Sequence, residues 1–87
     1  MITVAKQDEA NFQVTVDSGT KTIHSVAVDP GYAEKLTGGN ASTERLVEAS
    51  FEFLLAREPN TSILRSFDLP VIGRYFPEYE STITGML

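Results

Sequence analysis

His24 is the only histidine in this chain of 87 residues, and there is no cysteine. Imidazole is the usual acid–base group near neutral pH, so general acid–base chemistry would have to start there. His24 sits in a β-branched run, Thr20 to Val28, with no nucleophile or carboxylate at a motif spacing around it. No Ser–His–Asp order, HExxH pair or Gly-rich phosphate loop is present. Without cysteine there is no disulfide, thiolate nucleophile or zinc–sulfur site. The chain therefore reads as a non-enzyme with no catalytic, cofactor-binding or metal-binding set.

Three further groups could carry function. Glu44, Glu48 and Glu52 recur every four residues and read as the solvated stripe of a helix. Gly38-Gly39-Asn40 precedes a helix start, where an anion could sit, but neither a preceding strand nor a following lysine supports that. The segment RYFPEYE crowds Arg74, Tyr75, Phe76, Tyr79 and two glutamates around Pro77. Phe76 and one tyrosine are expected to plug the end of the core there. Arg and Tyr are also low-entropy anchors at protein interfaces. Arg65, Arg74, Tyr75 and Tyr79 are thus the candidate partner-binding residues.

The element that must position these groups is the stretch Ser42 to Glu58. Ser42 is a good helix cap, Glu44 suits the first turn, and Pro59 ends the run. At about 100° per residue, Leu46, Val47, Ser50, Phe51, Phe53, Leu54 and Leu55 cover about half the circumference. Arg45, Glu48, Ala49, Glu52 and Ala56 take the other half. So wide an apolar arc needs cover on more than one side.

Upstream, Ile2–Lys6 alternates weakly, and Asn11–Asp17 alternates cleanly with Phe12, Val14 and Val16 on one face. Ser18-Gly19 turns the chain into the strand Thr20–Val28. Two registers compete. One sets Val16 beside Lys21 and puts Ile23 inward. The other pairs Asp17 with Lys21 and Phe12 with Val26, and puts His24, Val26 and Val28 inward. The second has the better cross-strand partners.

YAEKL reads as a short helix closed by Gly38-Gly39. SILRSF and LPVIGRYF read as two further short helices, and EYESTITGML as a tail anchored by Tyr79 and Ile83. The fold class predicted is α+β. A small antiparallel sheet of two or three strands (residues 2–28) lies at the N-terminus. It packs on one long helix followed by short C-terminal helices (helical region 42–77), all in a single domain, 1–87.

The net charge of −5 argues against a nucleic-acid footprint. Residues 60–76 nevertheless imitate a helix-turn-helix, which makes a nucleic-acid-binding adaptor the alternative function. Neither an apolar run of 18 residues nor a signal-peptide core is present, so the expected setting is cytoplasmic, with no membrane role. The leading expectation is an acidic protein-binding or regulatory module whose partner is a protein, self-association included.

The stretches LVEASFEFLLAREP, SIL, FDLPVI and RYFPEYE, preceded by His24, Val26 and Val28 as H-x-V-x-V, resemble a family of small uncharacterised prokaryotic proteins. The resemblance spans about three-quarters of the chain. It implies the same β-region and helical block, and it carries no activity, cofactor or catalytic residue.

Overall fold

A computed structural model describes all of residues 1–87. Strands β1 (Ile2–Lys6), β2 (Asn11–Asp17) and β3 (Lys21–Ala27) form an antiparallel meander. Helices α1 (Pro30–Thr37) and α2 (Thr43–Leu55) follow. A 3₁₀ turn at Asn60–Ser62 leads to a short strand, β4 (Ser66–Asp68), then α3 (Val71–Tyr75) and α4 (Tyr79–Met86). The sheet order is β1-β2-β3-β4, with β4 parallel to β3, so the sheet is mixed and four-stranded.

The hairpin takes the register with Asp17 opposite Lys21 and Phe12 opposite Val26. Phe12, Val14, Val16, His24, Val26 and Val28 all point inward and are buried. Thr22 and His24 share that face and are polar, and they are satisfied by hydrogen bonds described below. Gly19, with φ of 93°, makes the turn.

Ser42 caps α2, its Oγ accepting from the Arg45 amide at 3.0 Å. Phe51 and Leu54 are buried, and the Phe51 ring lies 5.3 Å from that of His24 on β3. Truncating Phe51 to Ala would cost about 3–5 kcal/mol, a large share of a small domain's total. Gly38 closes α1 in the left-handed conformation (φ 62°), its amide donating to the Glu34 carbonyl at 2.8 Å. The Gly38-Gly39 pair thus links two helices.

Three expectations are corrected. The sheet has four strands, because SILRSF does not form a helix: its end is β4, held by the Ser25 amide on the Arg65 carbonyl (2.8 Å) and the Leu69 amide on the Ala27 carbonyl (2.9 Å). With a strand inside it and only five residues in α3, segment 60–76 is not a helix-turn-helix. The tail is a helix, α4, which with α1 packs on α2, while α3 packs on α4. That extra cover explains why Ala49, expected on the polar half, is fully buried.

No helix is long and apolar enough to cross a membrane.

Candidate binding groove

The end of α2, the loop after it, β4 and α3 enclose an open cavity of about 280 Å³. Leu54, Ile63 and Ile72 form its buried floor, and Phe67 and Phe76 its half-buried walls. Leu64 and Tyr75 line it from the rim and are 47% and 67% exposed. The lining is apolar apart from Glu58 and Ser62.

Each wall is positioned by a recognisable device. Phe67 lies opposite Val26 in the parallel ladder, so its side chain falls on the helix side of the sheet, 6.1 Å from the Phe51 ring. α3 is held by buried Ile72, and Pro77 prevents its continuation. The loop carrying Ile63 and Leu64 is tied to the hairpin by a buried polar network. Asn60 Nδ2 donates to the Thr20 carbonyl (2.7 Å) and to Thr22 Oγ1 (3.0 Å). Asn60 Oδ1 accepts from Ser18 Oγ (3.1 Å). His24 Nδ1 donates to the Leu64 carbonyl (2.7 Å), and the Thr22 hydroxyl donates to Nε2 (2.8 Å). Every buried side-chain polar atom has a partner. His24 is therefore fully used as a structural pin, and the hydroxyl beside it, that of Thr22, is buried with it.

The four residues expected to form a partner-binding patch divide. Arg65, Arg74 and Tyr75 are exposed. Tyr79 is wholly buried, and its hydroxyl sits 2.6 Å from Ser50 Oγ. Ser50 gives its proton to the Leu46 carbonyl (2.7 Å), so Tyr79 is the donor. Phe53 meets Tyr79 and Phe76 edge-on at 5.3 and 5.8 Å. Tyr79 is therefore a core residue, because it begins α4 directly over α2.

Arg45 is ion-paired with Glu48 (2.7 Å) and Glu52 (3.3 Å), and Arg57 with Glu78 (3.4 Å). Arg65 and Arg74, adjacent in sequence to the two rim residues, make no ion pair. The Glu44–Glu48–Glu52 stripe is thus largely the partner of Arg45, and no group of three carboxylate or imidazole side chains converges on a metal position.

Leu64, Phe67 and Ile63 were not singled out from the sequence. Their signal was faint: an isolated Ile-Leu pair and a Phe in a stretch whose strand depends on β3, forty residues away.

Comparison of the chain with protein-family models, with curated proteins and with solved structures finds no match to any of them.

Proposed function

We propose that the chain is a non-catalytic protein-binding module whose groove receives an apolar anchor from a protein partner. One observation carries this: two large apolar side chains, Leu64 and Tyr75, stand exposed while lining a preformed apolar cavity. Exposed apolar groups that border a concave apolar site mark interaction surfaces more often than scattered ones do. Tyrosine and arginine beside such a site suit anchoring at low entropy cost. All the groove-lining residues fall in the stretches that carry the resemblance to the prokaryotic family, and the reading extends the groove to that family.

The test is selection of peptides from a random display library on the immobilised chain. Selected peptides are then titrated against Leu64→Ala, Tyr75→Ala and Arg74→Ala, with thermal melts in parallel. The expected outcome is weaker binding by Leu64→Ala and Tyr75→Ala at an unchanged melting temperature. Binding indifferent to both substitutions, or no selected peptide on a chain that stays monomeric, would overturn the reading.

A further inference from the structure

We propose that the protein partner is a second copy of this chain, joined along the β4 edges. The inference rests on the docking role of the groove and names its occupant.

β4 is one of the two open edges of the sheet. Its bonds to β3 use the Arg65 carbonyl and the Leu69 amide. Successive peptide groups along a strand point in opposite directions, so those of Ser66 and Asp68 face outward from the sheet. Both residues are exposed. Such an edge is a template for another strand. A two-fold axis at Phe67 sets Ser66 of each copy opposite Asp68 of the other. Each of these two pairs then exchanges both its N–H···O bonds, which makes the contact self-complementary. The same antiparallel arrangement brings the chain entering α3 in one copy beside Leu64 of the other. The exposed Tyr75 and Leu64 of the two copies thereby cover each other's grooves.

Charge suits this occupant. From Glu58 to Phe76 the chain carries Glu58 and Asp68 against Arg65 and Arg74, a balanced set, while the rest of the chain holds the whole net charge of −5. A wholly acidic partner would meet two carboxylates here, and a wholly basic one two guanidiniums. A second copy brings equal numbers of both signs, and screening over about 8 Å at physiological salt mutes the acidic remainder.

The experiment is sedimentation equilibrium of the full chain from low micromolar to millimolar concentration, with amide hydrogen exchange on the same samples. The expected result is a mass rising from 9.5 kDa to twice that. Exchange at Ser66 and Asp68 should slow as the mass rises. Ser66→Pro removes one outward N–H while sparing the bonds to β3, and Tyr75→Lys puts a charge into the covered groove. Each should weaken association about tenfold or more. A dimer indifferent to both substitutions, with Ser66 and Asp68 exchanging as fast as in the monomer, would overturn the proposal. So would a chain that stays monomeric while selected peptides bind the groove, an outcome that leaves the docking reading standing. A monomer to which no peptide binds would overturn both.

Discussion

The Nδ1 of His24 lies 2.7 Å from the Leu64 carbonyl oxygen, a contact across 40 positions that ties the hairpin to the rim of the groove. A carbonyl only accepts, so Nδ1 carries the proton. Thr22 Oγ1 accepts from Asn60 Nδ2, which leaves its own proton for Nε2. His24→Leu keeps the volume near that of imidazole but removes the donor to the Leu64 carbonyl and the acceptor of the Thr22 proton, while Thr22 keeps its bond from Asn60. The expected cost is about 1–3 kcal/mol in all, since only the Thr22 proton is left unpaired in a buried site. Chemical denaturation measures the loss. Amide exchange should also quicken at Ile63–Arg65 before it does in β1.

Tyr79 and Tyr75 are four residues apart and should behave oppositely. Tyr79→Phe leaves Ser50 Oγ without its donor and should lower stability by about 1 kcal/mol. Tyr75→Ala, at a site 67% exposed, should leave the melting temperature close to that of the parent chain. If Tyr75→Ala proves the more destabilising of the two, the assignment of core and rim is reversed.

Burial pushes the Tyr79 phenol from its ordinary value of 10.0 up to about 12. A raised value in the folded state means that stability is full below the unfolded value, near 10, and is lost as pH rises to about 12. The ionised phenol is disfavoured in the fold by about 2–3 kcal/mol. Tyr32 is pushed up in the same direction, by burial and by its bond to Glu80 (2.8 Å). Urea midpoints measured from pH 9 to 12 should therefore fall steadily. Tyr79→Phe should flatten part of that decline, and Tyr79→Phe with Tyr32→Phe most of it.

Where side chains act through local periodicity, the sequence was readable. The Ser42 cap, the body of α2, the Gly38 stop and the inward face of β3 follow from positions within a few residues of one another. The register was legible because a one-residue slip would have exchanged His24 and Val26 for Ile23 and Ser25 on the core face. β4 was not legible. Ser66–Asp68 has no strand signature of its own, and it exists because a parallel neighbour forty residues away supplies its hydrogen bonds. α4 contains Thr82, Ile83, Thr84 and Gly85, poor helix formers, and is held instead by Tyr79 and Ile83 one turn apart in the core. The groove was half visible. Tyr75 and the neighbouring Arg74 stood out by residue type, but Leu64 did not, and the floor is assembled from three elements whose meeting no local pattern states.

Gly38 tests one local device directly. Its φ of 62° is a left-handed conformation that an L side chain enters at a cost of about 1–2 kcal/mol. The nearest atom to an added Cβ is Asn40 Nδ2 at 3.6 Å, so space is not the obstacle. Gly38→Ala should cost about that amount through backbone strain alone, and Gly38→Asn less, since asparagine tolerates this region.

Arg57 is where charge, stacking and a helix end coincide. Its guanidinium lies 3.5 Å from the Phe53 ring centre, Nη1 donates to the Phe53 carbonyl at 3.0 Å, and Nε reaches Glu78 at 3.4 Å. The Phe53 carbonyl lies in the last turn of α2, where cations are favoured and no other basic residue stands. The ion pair alone is worth little at this exposure. The stacked guanidinium adds about 0.5–1 kcal/mol, and it covers a ring that also packs on Phe76 and Tyr79. Arg57→Lys keeps the charge but loses the planar contact and the fork of donors, so it should recover less than half of the stability lost in Arg57→Ala. Glu78→Gln should cost only a few tenths of a kcal/mol, and less at high salt. If Glu78→Gln matched Arg57→Ala, the residue would act through its ion pair, and the planar contact with Phe53 would contribute nothing.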